Sequence, residues 1–385
     1  MLNFELYNPT KVIFGKDQLH HLSKELPKDK KILMLYGGGS IFKNGIYEAV
    51  STNLKGYEVV EFGGVEANPT YETLCKAVEL IRSQNIGFIL AVGGGSVIDG
   101  AKFIAAVAVY EGNPLDIFYR KHRPTEALPF GVVLTLPATG SEMNSGAVIT
   151  RVETNEKLSF GSAVTFPRFS FCDPTVITSL PKRQLQNGIV DAFTHVLEQY
   201  VTYRHGAILQ DKIAESVLQT LIEIGEKVID NPADYNLASN FMWCCTMALN
   251  GLLSKGVPTD WATHYIGHEL TALYGIDHAR TLAIVAPNLY RVMFEYKKDK
   301  LVQLGRNVFG IKGEDTQVAQ QAIDRLEAFF QSVGMYTSIS ENTTADITST
   351  ADEIVNRFAE RGFVPIGEGQ HITLDKIYEI VKMSY

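Results

Sequence analysis

The chain has no run of about 18 uninterrupted apolar residues, so no membrane-spanning helix is expected. Its start, Met1-Leu2-Asn3-Phe4-Glu5, lacks a basic segment followed by an apolar stretch, so no secretory signal is expected either. Cysteine is scarce: Cys75, Cys172, Cys244 and Cys245 are the only four in 385 residues. They have neither the spacing of a zinc finger nor the density of a disulfide framework. Cys244 and Cys245 lie in an apolar helical pattern, where a free thiol behaves as a small hydrophobe. This usage fits a reducing compartment and a cytoplasmic protein. Positive charge is not in excess. The formal net charge is −8, which argues against a nucleic-acid partner. There is no repeat of fixed period and no low-complexity segment.

What remains is ordinary globular composition, 45% hydrophobic and 20% charged, at a length that suggests two domains. In the first half, short apolar runs over 31–36, 57–62, 87–92 and 131–136 read as strands, and 71–83 and 97–110 read as helices. Strands alternating with helices imply a parallel sheet covered on both faces. After Leu180-Pro181 the strand signals fade. Helical patterns follow over 186–202, 207–231, 238–253, 259–274, 316–333 and 349–361. The expected architecture is an α/β N-terminal domain over 1–180 and an all-α C-terminal domain over 181–385.

Gly93-Gly94-Gly95-Ser96 joins the third strand to a helix. Glycines allow a sharp turn and close approach of a ligand to the amides, and a helix N-terminus favours an anion. The segment reads either as a pyrophosphate cradle or as a plain turn. Asp99 falls in the first turn of that helix, where it either complements the dipole or accepts from a ribose hydroxyl or carboxamide. Gly37-Gly38-Gly39-Ser40 follows a neighbouring strand, with Lys43 close behind. NAD sites often carry an acid at such a strand end, to bind the ribose diol. Its lack here leaves room for a 2′-phosphate and favours NADP(H) over NAD(H). Pro137-Ala138-Thr139-Gly140-Ser141-Glu142 follows the fourth strand, as a ligand-crevice loop or an ordinary turn.

Five of nine histidines, His20, His21, His122, His205 and His371, stand in polar surroundings and read as surface residues. The other four differ. Asp191 and His195 are four apart in an apolar helical stretch, hence on one face. Buried polar groups need partners, so the pair is either an internal hydrogen bond or half of a metal site. His264 and His268 repeat the spacing, and His278 follows. Fourteen residues of straight helix would put His264 and His278 roughly 21 Å apart. A reversal at Gly275, a suitable helix C-cap, brings His278 back. Asp191, His195, His264 and His278 can then converge on one divalent ion from two helices and a loop. The donor set accepts Fe²⁺ or Zn²⁺. His268 is expected beside the set or lining the substrate pocket.

These segments together resemble one family over essentially the full length. They run from Tyr7-Asn8-Pro9-Thr10-Lys11-Val12-Ile13-Phe14-Gly15 through Ala91-Val92-Gly93-Gly94-Gly95-Ser96-Val97-Ile98-Asp99 and Leu136-Pro137-Ala138-Thr139-Gly140-Ser141-Glu142. Asp191-Ala192-Phe193-Thr194-His195, Gly267-His268-Glu269-Leu270 and Asp277-His278-Ala279 complete the set. The chain resembles the iron-containing (group III) alcohol dehydrogenases, in their NADPH-dependent aldehyde reductase and butanol dehydrogenase branch. The resemblance implies a dehydroquinate-synthase-like fold, with a dinucleotide-binding domain followed by a helical metal-binding domain. It places metal ligands at Asp191, His195, His264 and His278. It places cofactor contacts at Gly38, Ser40, Asn68, Gly94, Gly95, Ser96, Asp99, Thr135, Thr139 and Lys157. It also implies a homodimer acting on a small-molecule aldehyde or alcohol. The expected chemistry is hydride transfer to a carbonyl polarised by the metal, with His268 handling the proton. Alternatives are a dehydroquinate-synthase-like lyase, a glycerol-dehydrogenase-like enzyme, or a non-enzymatic nucleotide or metal sensor.

Overall fold

A computed structural model describes residues 1–385. The chain forms two compact units. One comprises Tyr7–Pro181 and Pro232–Asn250; the other comprises Met1–Leu6, Lys182–Asn231 and Gly251–Tyr385.

The first unit holds, in chain order, β1 (Lys11–Phe14), α1 (Leu22–Glu25), β2 (Ile32–Tyr36), α2 (Ile46–Asn53), β3 (Val59–Phe62), α3 (Tyr71–Gln84), β4 (Phe88–Gly94) and α4 (Gly95–Ala108). Then come β5 (Phe130–Leu136), the hairpin β6 (Gly146–Arg151) and β7 (Glu156–Gly161), and β8 (Phe169–Cys172). Six strands form a wholly parallel sheet in the order β1-β8-β5-β4-β2-β3. Successive residues of β2 feed opposite cores: Leu33 and Leu35 join Leu74, Ile98 and Ile104, while Ile32 and Met34 join Leu22, Val50 and Phe169. At β2, β4 and β5 both faces are buried, which is why these strands read as unbroken apolar runs rather than as alternation. The chain moves from β2 outward to β3 and then crosses to β4 on the other side of β2. The C-terminal ends of β2 and β4 therefore flank a topological switch point, the place where open α/β sheets bind ligands.

The second unit holds α5 (Lys182–Tyr200), α6 (Ile208–Asp230), α8 (Ala262–Tyr274), α9 (His278–Val292), α10 (Phe294–Asn307), α11 (Asp315–Ser332), α12 (Ile347–Glu360) and α13 (Leu374–Met383); α7 (Tyr235–Leu249) belongs to the sheet unit. From Leu185 onward α5 is buried at almost every position, with α6 and α9 packed on it. No helix of the chain is long and apolar enough to cross a membrane. All four cysteines are free thiols.

The strands expected over 31–36, 57–62, 87–92 and 131–136 are β2 to β5. β1, β8 and the β6–β7 hairpin were not anticipated, nor were α9, α10 and α13. One expectation is corrected: His278 lies on no loop but is the first residue of α9.

Candidate active site

In the sheet unit, the glycine loop is the end of β4 and the start of α4. The β4–β5 register shifts between Gly93 and Gly94. A Cβ on Gly95 would lie 2.5 Å from Thr139 Oγ1, so the loop after β5 packs directly on the helix start. The Ser96 hydroxyl donates to the Ala67 carbonyl, tying down the segment that holds Asn68. Thr150 of β6 donates its N–H to Pro69 O at 2.8 Å and lies opposite Lys157 of β7. Asn68, Gly94, Gly95, Ser96, Thr139 and Lys157 are thus linked by short connections. Thr135 stands near the end of β5 and is buried. Gly38 and Ser40 lie beyond β2 and are exposed; a Cβ on Gly38 would meet nothing within 4 Å.

Asp99 is engaged inside the protein. Its Oδ1 accepts from Ser141 Oγ at 2.5 Å and its Oδ2 from the Val148 N–H at 2.8 Å. Ser141 is held in turn by Lys102, a fully buried lysine. Lys102 Nζ donates to Ser141 Oγ (2.6 Å), Asn144 Oδ1 (2.8 Å) and the Gly146 carbonyl (2.7 Å). Burial pushes its ammonium down to about 8, against the attraction of Asp99 and Glu142. Sequence reasoning missed this lysine. Its spacing three residues after Asp99, within an otherwise apolar helix, was the available signal.

In the helical unit, Asp191 and His195 sit one turn apart on buried α5, and His264 lies in the first turn of α8. Gly275 caps α8 at φ 66°, in the left-handed region that glycine tolerates, and α9 begins three residues later with His278. The expected reversal is therefore present. Asp277 pins it to α5, accepting from Arg183 Nε at 2.6 Å and Asn187 Nδ2 at 2.9 Å. Burial alone would raise the Asp277 pKa, but these partners outweigh it and hold the carboxyl below its ordinary range.

Donor atoms of Asp191, His195 and His264 all lie within 4.8 Å of one another. Asp191 Oδ1 stands 3.7 Å from His195 Nε2 and 3.7 Å from His278 Nε2. The His264 ring centroid is 4.8 Å from that of His195 and 5.3 Å from that of His278. Spacings of 3.7 Å exceed a hydrogen bond. Two donors held about 2.1 Å from a tetrahedral ion would be about 3.4 Å apart, close to what is found. Asp191 Oδ1 is also buried without a hydrogen-bond partner. A buried carboxylate oxygen facing two imidazole nitrogens at that distance suits a divalent cation, and the residues present fit one. His268 lies outside this tight group, its centroid 5.0 Å from His278 and 6.4 Å from His264.

Glu198, a further residue of α5, was not singled out from the sequence. It is buried and its Oε1 lies 3.1 Å from His264 Nδ1. Burial first, and then the charge of nearby Asp260, push its carboxyl above the ordinary range, while the N–H groups of His264 and Trp261 and the charge of Lys297 pull it back. Its signal was a glutamate three residues after His195, following the apolar pair Val196-Leu197.

Two family models match the chain: "iron-containing alcohol dehydrogenase" over residues 9–174, and the C-terminal part of the Fe-containing alcohol dehydrogenase family over residues 186–385. The NADPH-dependent aldehyde reductase YqhD of Escherichia coli is 46% identical, over 99% of this chain and 100% of that protein. A probable NADH-dependent butanol dehydrogenase of Bacillus subtilis is 43% identical over the full length of both. Among solved structures, that of Escherichia coli YqhD superposes with a TM-score of 0.97 at 45% identity, covering 100% of this chain and 99% of the other. NADH-dependent butanol dehydrogenase A from Thermotoga maritima superposes with a TM-score of 0.94 at 36% identity, with the same coverage.

Proposed function

Because the chain belongs to the iron-containing alcohol dehydrogenase family, we propose that it transfers a hydride between NADP(H) and a small aldehyde or primary alcohol, using one divalent metal. The observation that carries this is the buried Asp191 Oδ1, with two imidazole nitrogens at 3.7 Å and no hydrogen-bond partner. Asp191, His195, His264 and His278 would hold the ion, Fe²⁺ or Zn²⁺. Bound there, the ion supplies Lewis acidity to a carbonyl or alcohol oxygen, and the nicotinamide supplies or takes the hydride.

The protein's own residues then have distinct tasks. In this reading the dinucleotide-binding domain, expected over 1–180, is the sheet unit including α7, and the metal-binding domain, expected over 181–385, is the helical unit. Gly94, Gly95 and Ser96 present amides at the start of α4 to the pyrophosphate, flanked by Asn68, Asp99, Thr135, Thr139 and Lys157. Gly38 and Ser40 receive the adenosine end. Their loop, Gly37-Gly38-Gly39-Ser40, carries no carboxylate, which supports NADP(H) over NAD(H). The relatives differ here by name, one using NADPH and another NADH. His268, beside His278, accepts or donates the substrate's proton at an imidazole nitrogen. Family membership favours the oxidoreductase over the lyase and the sensor. Free thiols fit a cytoplasmic setting, and we expect a homodimer.

An assay of the metal-loaded protein with butanal and a panel of short aldehydes tests the reading. NADPH is expected to be consumed, faster than NADH. Asp191→Ala is expected to lose metal and activity together. His268→Ala is expected to slow turnover while keeping its metal. Failure to consume either nucleotide across the panel, with metal present, defeats the proposal.

A further inference from the structure

One imidazole of the proposed metal site is aimed from outside the donor group. We propose that Glu198 is a positioning residue, which holds the His264 ring by Nδ1 so that Nε2 faces the ion, and which fixes the first turn of the helix carrying that histidine. The inference rests on the metal reading given above.

Glu198 is 2% exposed, and three N–H groups of one short segment converge on its two oxygens. Oε1 accepts the His264 backbone N–H at 3.1 Å and lies 3.1 Å from His264 Nδ1. Oε2 accepts the Trp261 N–H at 3.0 Å. The Glu198 carbonyl takes the Asp260 N–H at 2.8 Å, and Asp260 Oδ1 takes the Ala262 N–H at 2.9 Å. The first N–H groups of a helix have no partner within it. At α8 they are satisfied by two carboxylates, one of them from α5, and the helix dipole favours negative charge at that place. Trp261 adopts φ 69°, the left-handed region, while making its bond to Glu198. Such a backbone persists where its surroundings over-determine it.

The consequence for the ring follows from its two nitrogens. An imidazole whose Nδ1–H is bound to a carboxylate keeps the lone pair on Nε2, and partners of this kind fix ring orientation in metal sites. The arrangement is braced from behind. Buried Lys297 donates to Asp260, to both oxygens of Glu368 at 2.7 Å and to the Val201 carbonyl at 2.9 Å. Asp260, so anchored, holds the backbone of Glu198. Glutamine is not equivalent at 198, because both oxygens accept; its amide group would set N–H₂ against an N–H.

The test uses the full-length protein, stripped of metal and titrated with Co²⁺ and with Zn²⁺ against a chromophoric chelator. Glu198→Ala is expected to weaken metal binding about 10- to 100-fold and to shift the visible ligand-field bands of Co²⁺. Glu198→Gln is expected to recover part of the affinity, and its metal-free melting temperature to stay nearer the unsubstituted value than that of Glu198→Ala. If Glu198→Ala does not fold, Glu198→Gln and Glu198→Asp carry the test. Wild-type affinity and wild-type Co²⁺ spectra in the folded variants would overturn the inference while leaving the metal site standing. Wild-type binding by His264→Ala would instead remove the metal assignment, and the inference with it.

Discussion

At the scale of single residues, Lys102 carries a heavy electrostatic demand in the sheet unit. Its ammonium is fully buried and spends its three hydrogens on Ser141, Asn144 and Gly146. Burial brings its pKa to about 8, whereas an unfolded lysine titrates near 10.4. Between those values the unfolded chain holds a proton that the folded one has released. Stability from this group therefore rises with pH across the window and is flat below it. From pH 7.5 to 9.5 the gain is on the order of 1–2 kcal/mol. Urea unfolding of the wild type and of Lys102→Met at both pH values reads it as a change in their difference. A pH-independent difference would place the lysine's proton release outside this range. The same substitution frees Ser141, and through it Asp99, so it links the lysine to the loop proposed to receive the nucleotide.

At the scale of elements, the two glycine loops make opposite demands. A Cβ on Gly95 would meet Thr139 Oγ1 at 2.5 Å and Cγ2 at 2.8 Å, whereas one on Gly38 would meet nothing within 4 Å. Gly95→Ala is expected to cost about 1–3 kcal/mol of stability through overpacking. Gly38→Ala is expected to stay within roughly 0.5 kcal/mol yet to weaken NADPH, whose phosphate needs the space. Melting without nucleotide, followed by fluorescence titration with NADPH, separates the two. Unchanged NADPH affinity in Gly38→Ala would take that loop out of the cofactor site. What the sequence disclosed at this scale followed from burial. β2, β4 and β5 were legible because both faces are covered and the apolar runs are continuous, and the edge strand β3 because Gly63-Gly64 closes its short apolar run. β1 and β8 span four residues each, as β3 does, but no glycine pair closes β8 and no residue of β1 is fully buried, so neither stood out. α9 was hidden by Pro287 in its interior, and α10 by a charged segment around Lys297, Lys298 and Lys300. Asp191, His195 and His264 stood out because helical spacing and an apolar setting made each conspicuous, and His278 because a glycine able to reverse the chain precedes it. Glu198 and Lys102 carried only weak signals, since a lone charge in a helix reads as a solvated face until the fold shows it buried.

At the scale of the molecule, the proposed ligands fall in separate units. Asp191, His195, His264 and His278 belong to the helical unit, and the nucleotide loops to the sheet unit. A ligand that binds only the native form stabilises it by about 2.7 kcal/mol at a hundred times its Kd. Removing the metal with a chelator is thus expected to lower the melting temperature and to increase hydrogen exchange in α5, the first turn of α8 and the start of α9. β4 and the start of α4 are expected to respond to NADPH instead. Metal-dependent protection confined to some other part of the chain would contradict the ligand set.

The sheet unit is not continuous in sequence, and this bears on how the protein is made. Its second segment, Pro232–Asn250, contains α7, which packs on the turns at Ser141–Met143 and Pro174–Ser179. Thr246 of that helix donates to the buried carboxylate of Glu142, and Gly140 lies against the backbone at Cys245 and Leu249. A nascent chain that has reached residue 181 has all six strands but lacks this cover. At about 5–20 residues per second the ribosome supplies it several seconds later. Until then, a fragment ending near 181 keeps an uncapped acid and an exposed apolar surface. Division of the gene for expression in halves belongs elsewhere, and the first half alone needs α7 supplied from outside.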